Sequence, residues 1–154
     1  RNPMRIRPAE QNDVPVLRDI FYRSRVRHFF WVDHSRFTPG DFDSATAGEL
    51  LWVAEDTSER PAGFVSVWAP EHFIHNLFVS PEHTGEGYGT ALLWHCLARI
   101  GRPARLKCAQ RNHAAIGFFR SRDWRVIGEG FGAEGPYYEL EFNGEVPPAG
   151  EPDA

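Results

Sequence analysis

Residues 77–93 read Leu-Phe-Val-Ser-Pro-Glu-His-Thr-Gly-Glu-Gly-Tyr-Gly-Thr-Ala-Leu-Leu. An apolar strand runs into a turn with glycines at positions 85, 87 and 89, and the turn opens an amphipathic helix. Glycine tolerates left-handed dihedrals and lets the backbone come close to a ligand. The first turn of a helix leaves N–H groups without intrahelical partners, and the helix dipole favours an anion beside them. Strand, glycine turn and helix start therefore read as a phosphate-binding device in a mixed α/β chain. A glycine-rich turn with no ligand is the alternative that the glycines alone leave open.

Three phosphate loops compete for the pattern. A P-loop needs Gly-Lys-Ser/Thr at the helix start, and here Thr90 follows Gly89 directly. A dinucleotide fingerprint needs GxGxxG near the start of a βαβ unit, with an acid about 20 residues on. The spacing here is GxGxG, and it falls mid-chain. The third loop is the acyl-coenzyme A loop of the GNAT N-acetyltransferase superfamily, a strand ending V-x-P followed by Q/R-x-x-G-x-G/A at a helix start. Val79-Ser80-Pro81 and Gly87-Tyr88-Gly89 resemble it in order and spacing. Downstream, Asn112-His113-Ala114-Ala115-Ile116-Gly117-Phe118-Phe119 resembles that superfamily's N-x-x-A-x-x-F-Y helix. Upstream, residues 6–14 look like its first strand running into its first helix. The resemblance spans residues 4–142.

The chain of 154 residues is expected to form one domain over 4–142. Residues 143–154 are rich in Pro, Gly and acid without apolar periodicity, and read as a disordered acidic tail. No apolar run approaches the ~18 residues of a membrane span, and no charged start precedes an apolar stretch. A cytoplasmic protein without membrane contact is expected. The net charge of −4 argues against a nucleic-acid partner. Cys96 and Cys108 lack metal-like spacing to the histidines, so reduced, buried thiols and no metal are expected. Residues 99–125 carry Arg99, Arg102, Arg105, Lys107, Arg111, Arg120, Arg122 and Arg125 against Asp123 alone. This basic half either flanks the coenzyme phosphates or is a solvated surface.

Strands are read at 4–7, 50–55, 62–68, 73–79, 104–109, 124–128 and 137–142. Helices are read from 13, from 88 to 100 and from 112 to 122, with an aromatic stretch at 29–37 whose type the pattern leaves open. Asn12 or Asp13 would cap the first helix, with Pro15 in its first turn. The order predicts an α/β (α+β) fold, a mixed sheet with helices on both faces. The resemblance adds a mostly antiparallel sheet whose fourth and fifth strands splay after a bulge, admitting the pantetheine arm between them.

The resemblance implies acetyl transfer from acetyl-coenzyme A to a primary amine by direct attack in a ternary complex. Deprotonating an alkylammonium of pKa about 10.4 at pH 7 costs roughly 4–5 kcal/mol, so a base is needed. The corresponding position on the fourth strand is His75, with Glu71, His72 and Glu129 in reserve. The backbone N–H of Phe78 is the expected oxyanion donor. Leu77, Phe78 and Val79 would flank the arm. Thr84, Gly85, Glu86, Gly87, Tyr88, Gly89 and Thr90 would surround the pyrophosphate. Asn112 would bond the arm or simply cap the next helix, and Phe119 would lie against the coenzyme.

Two positions depart from the family pattern. Phe119 replaces the tyrosine that commonly protonates the thiolate, leaving Tyr88, Tyr137, Tyr138 or Cys108 as substitutes. Thr84 replaces the Gln/Arg that opens the loop, and Glu86 places an acid where many relatives carry a base. A small-molecule amine is the expected acceptor, with the aromatic residues Phe29, Phe30, Trp31 and Phe37 as candidate walls. A protein N-terminus or lysine is the other acceptor, and a non-catalytic acyl-coenzyme A sensor the other function. Segments 21–48 and 128–138 would bind the acceptor, and homodimers are common in the family.

Overall fold

The computed structural model describes residues 4–148. Seven strands form one sheet: β1 (Ile6–Pro8), β2 (Leu50–Glu55), β3 (Pro61–Trp68), β4 (Phe73–Val79), β5 (Ala104–Ala109), β6 (Arg125–Gly132) and β7 (Gly135–Phe142). Their order across the sheet is β1-β2-β3-β4-β5-β7-β6, and every neighbouring pair is antiparallel except β4 with β5. Four helices flank it: α1 (Val14–His28), α2 (Asp41–Ala45), α3 (Tyr88–Leu97) and α4 (His113–Arg120).

Helical spacing in α1 buries Leu17, Ile20, Phe21 and Ser24. These pack with Phe42 of α2 against Val53 and Phe64 on one face of the sheet. On the opposite face Leu92, Leu93, Cys96 and Leu97 of α3 and Phe119 of α4 meet Val65, Val67, Ile74 and Leu106. The alternation of β3, buried at six successive positions, serves both faces at once. Asp13 is the N-cap of α1, yet its carboxylate turns back to accept from Arg7 (2.8 and 2.9 Å) and from the Glu10 N–H. That ties β1 to the helix start, and the Arg7 guanidinium holds the Asp13 carboxyl below its ordinary range.

Differences from the sequence reading have local causes. The aromatic stretch at 29–37 has one 3-10 turn (His34–Arg36), and the second helix begins later, at Asp41. The last two strands are longer than the alternation indicates. Gly132 pairs with Gly135 to close a hairpin, and the glycine-rich run 128–135 offers few side chains to alternate. Within 143–148, Arg102 Nε donates to the Gly144 carbonyl (2.9 Å) and the partly buried Val146 packs against the core, while 143–145 and 148 are exposed. The rest of the expected tail, 149–154, lies outside the described residues. Among those described, no helix is long and apolar enough to cross a membrane.

The feature that positions the site is the separation of β4 from β5. Their ladder consists of one pair, Phe73 with Arg105, beside the bond from the Arg105 N–H to the His72 carbonyl (3.1 Å). Beyond it the strands part.

Candidate active site

A cavity of about 660 Å³ fills the gap. Its walls are β4 from Phe73 to Phe78, β5 from Leu106 to Ala109, Asn112, Ala115 and Phe119 of the α4 region, and two flaps. One flap carries Phe21, Arg25, Phe29, Asp41, Ser44 and Ala45; the other carries Phe131, Gly132, Glu134, Gly135 and Tyr137. Trp31 Nε1 donates to the Glu134 carbonyl (2.8 Å), joining the two flaps. Both segments expected to hold an acceptor thus line the same space. The four aromatics divide: Phe29 is a wall, Trp31 is the tie, Phe37 is buried beneath Arg25, and Phe30 stays 67% exposed outside.

The backbone of β4 is set by one irregularity. Its pairing with β3 passes from Asn76 opposite Ser66 to Ile74 opposite Val67, so His75 is the extra residue of a bulge. Past the bulge, the Ser80 N–H bonds the Ala62 carbonyl (2.7 Å). Hydrogen-bonded pairs in an antiparallel ladder recur at every second residue, which makes Phe78 with Phe64 a bonded pair as well. The Phe78 carbonyl does lie against β3, 2.7 Å from where a Cβ on Gly63 would be.

This corrects the expected oxyanion donor. The Phe78 N–H is engaged toward β3, and the N–H groups of Leu77 and Val79 face the opening. The bulge falls three residues earlier than that assignment requires and shifts the alternation. The Phe78 side chain joins the α1 face, edge-on to Phe21 at 5.3 Å. On the open side the Val79 carbonyl accepts from Ser24 Oγ (3.0 Å).

His75 lines the cavity, and its Nδ1 lies 2.8 Å from Glu49 Oε2. The reserve groups are elsewhere. His72 adopts a left-handed conformation and accepts from the Gly101 N–H (3.2 Å), Glu129 accepts from Gln110 (3.1 Å), and neither these nor Glu71 line the cavity. Of the candidate proton donors, Tyr137 and Cys108 line it. Tyr88 is buried edge-on to His83, and Tyr138 lines a separate depression near Trp124. Burial pushes the Cys108 thiol up to about 12. Phe119 is a cavity wall stacked edge-on to Trp124 at 5.6 Å.

At the C-terminal end of β4 the glycine turn suits a pyrophosphate. Gly87 is the N-cap of α3 with φ of +91°, and Gly85 has φ of +79°. Helix bonding begins with the Ala91 N–H to the Gly87 carbonyl (3.1 Å), so the N–H groups of Tyr88, Gly89 and Thr90 precede the ladder. The side chains of the loop are occupied. Thr84 Oγ1 donates to the Pro81 carbonyl (3.3 Å), and Tyr88 is in the core. Glu86 turns to His83 Nδ1 (3.2 Å).

Only part of the basic half reaches the loop. Arg122 Nη2 donates to Thr90 Oγ1 (2.8 Å) while its guanidinium stacks on Phe118 at 3.8 Å. Arg102 closes the end of α3, and Arg105 and Arg125 bind Glu141. On the other side Arg23 grips Glu82 (2.7 and 3.0 Å), pulling its carboxyl down to about 2 and latching α1 to the loop. Asn112 Oδ1 accepts from the Ala115 N–H (3.2 Å) as the N-cap of α4. Its Nδ2 has no partner among the described residues and borders the cavity.

The sequence did not single out Glu49 or Asp41, and it showed Lys107 only as one member of the basic half. Lys107 is the one lysine of the chain, and its Nζ stands 5.1 Å from the Tyr137 ring centre and 5.9 Å from that of Phe73. Asp41 is held below its ordinary range by the Thr38 N–H and hydroxyl and by Arg25. Only strand register brings Glu49 to His75, since no local pattern links residues 26 apart.

The chain matches the acetyltransferase (GNAT) family over residues 15–124. Over 78 residues it is 31% identical to the peptidyl-lysine N-acetyltransferase YjaB of Salmonella typhimurium, covering 51% of this chain and 52% of that one. The matched stretch thus spans about half the length of that curated relative. The solution structure of apo YjaB from Escherichia coli superposes with a TM-score of 0.76 at 20% identity, over 93% of this chain and 99% of that one. A phosphinothricin acetyltransferase from Sinorhizobium meliloti in complex with AcCoA gives 0.71 at 19% identity, over 97% and 92%. At these identities the structural likeness concerns the fold.

Proposed function

Because this chain belongs to the acetyltransferase (GNAT) family, we propose that it moves the acetyl group of acetyl-coenzyme A to a primary amine by direct attack in a ternary complex. The observation that carries this is the parted β4–β5 edge, where the register turns the Leu77 and Val79 N–H groups away from β3, leading to the glycine turn. An extended pantetheine arm can complete the sheet there, as an added strand does. The N–H groups of 85–90, the α3 dipole and the Arg122 guanidinium receive the diphosphate. The Asn112 amide donates to the arm.

In this reading the thioester carbonyl oxygen sits at the Leu77 N–H, which stabilises the charge developing on it. His75 takes the proton of the incoming amine. The sulfur leaves as thiolate, which is feasible for a thiol of pKa near 8.5; Tyr137 borders the same cavity, with its hydroxyl against Gly130 of β6, and a turn of its side chain would bring that proton to the sulfur. The two flaps admit the acceptor. The cavity bordered by the joined flaps favours a small-molecule amine. The YjaB match favours a lysine side chain of a protein as the second reading. Free, buried Cys96 and Cys108 fit a reducing cytoplasm.

Thiol release from acetyl-coenzyme A, followed over a panel of small amines and lysine peptides with a no-amine control, tests the proposal. Saturable turnover with a small amine is the expected result. Coenzyme binding without turnover on either class would instead favour a sensor role, for which Phe119 already speaks. His75→Ala should lower kcat/KM by about 10²–10⁴ and flatten the acid limb of its pH profile. An unchanged profile would remove His75 from the role of base.

A further inference from the structure

Glu49 and His75 meet in a manner that a surface ion pair does not require. The imidazole side chain is 46% exposed, whereas the Glu49 carboxylate is only 8% exposed. The second carboxylate oxygen, Oε1, is buried and has no partner among the described residues. Leaving a carboxylate oxygen buried and unpaired is costly, so the arrangement sacrifices stability at a position next to the reacting space. Glu49 itself does not line the cavity; His75 does. The bulge turns His75 out of the regular alternation of β4, and the turn at 46–49, with the Glu49 N–H on the Thr46 carbonyl (3.1 Å), aims the carboxylate at it.

An ionised carboxylate can only accept a hydrogen bond. The contact therefore places the ring proton on Nδ1 and leaves the Nε2 lone pair free. We infer that Glu49 is the positioning residue of the base, fixing His75 in the Nδ1–H tautomer and stabilising the imidazolium that forms. This rests on the assignment of His75 as base. In the step served, the amine nitrogen forms the C–N bond while the C–S bond breaks and sulfur departs with the bonding pair. One proton passes from nitrogen to Nε2, and the imidazolium then gives it up to the thiolate, directly or by reprotonating Tyr137 after that group has protonated sulfur, giving amide and thiol. Glu49 keeps its charge throughout. Of the other charged groups bordering the cavity, Asp41 is held by Thr38 and Arg25 and Lys107 faces Phe73 and Tyr137, while Glu134 stands on the far flap.

The test compares Glu49→Leu, Glu49→Gln and His75→Gln with the unaltered protein. Ring ¹⁵N–¹H correlation spectra should show His75 as the Nδ1–H tautomer in the unaltered protein and in Glu49→Gln, whose amide oxygen still accepts. In Glu49→Leu the ring should shift toward Nε2–H. That variant should lose about ten- to a hundredfold in kcat, the scale of a lost orienting partner, with KM for acetyl-coenzyme A unchanged. Glu49→Gln should lose less, and adding Glu49→Leu to His75→Gln should cost nothing further. Full kcat in Glu49→Leu with the Nδ1–H tautomer retained would overturn the inference while leaving His75 intact as base. Full kcat in His75→Gln would remove the base itself, and the inference with it. Should Glu49→Leu fail to fold, unchanged kcat in Glu49→Gln is the overturning result.

Discussion

Adding one methyl group at either of two glycines should have opposite effects, and only one of them should touch the site. A Cβ at Gly63 of β3 would stand 2.7 Å from the Phe78 carbonyl oxygen and 3.2 Å from both Val79 Cα and Leu92 Cδ1. Two of these neighbours are backbone, so relief requires β4 to move by at least about 0.3 Å, the gap to the shortest contact that real Cβ atoms make. Overpacking of this kind costs about 1–3 kcal/mol, or roughly 2–4 °C in Tm for each kcal/mol in a chain of this length. Gly117 lies on the exposed side of α4, and a Cβ there meets nothing within 4 Å. Gly117→Ala should therefore gain about 0.5–1 kcal/mol from helix propensity. Calorimetry should show Tm falling in Gly63→Ala and rising in Gly117→Ala. Because Gly63 presses on Phe78 and Val79, the residues that follow Leu77, its variant should also lose turnover, by less than the roughly 10²-fold that a misplacement near 1 Å costs. Gly117→Ala should keep full turnover. Equal melting temperatures and equal rates for the two variants would refute the close-approach reasoning.

Two further outcomes follow from the structure. Burial raises both Cys96 and Cys108 to about 12 from an ordinary 9.0. Because these pKa values are raised on folding, their contribution is complete below the unfolded pKa and is lost as pH climbs from 9 toward 12. Each thiol should thus subtract about 1.4 kcal/mol per pH unit in that window, and urea midpoints of Cys96→Ala/Cys108→Ala should be visibly flatter there; an identical slope would deny the burial effect. Gly87→Val puts a β-branched residue at φ of +91°, a strain on the order of 1–3 kcal/mol. It should abolish measurable acetyl-coenzyme A binding by calorimetry while the fold survives, and unaltered affinity would contradict the loop assignment.

The parts of the molecule that were legible in the sequence are those written in local periodicity and in glycine chemistry. The buried stripe Leu17, Ile20, Phe21 and Ser24 follows from 3.6-residue spacing, and the strands at 50–55, 73–79 and 104–109 follow from their bounding turns. The glycine turn before α3 was readable because its positive dihedrals demand glycine at 85 and 87. What escaped depends on register. Whether Phe78 or its neighbours turn their N–H groups away from β3 is decided by a single extra residue at 75, which no periodicity reveals. Glu49 reaches His75 across strands, and the length of the last hairpin rests on a Gly132–Gly135 pair in a run with almost no side chains to alternate. The basic half was seen as a block, but its arginines scatter to a helix end, a strand carboxylate and the loop.

One pair of residues, Phe73 and Arg105, is nearly all that stitches the two halves of the sheet together. A protein built this way is an unfinished fabric, and under the proposed function the missing thread is the substrate it consumes. Each turnover should then begin with the molecule stiffening and close with it slackening, so that amide exchange along β4 and β5 becomes a clock for the catalytic cycle.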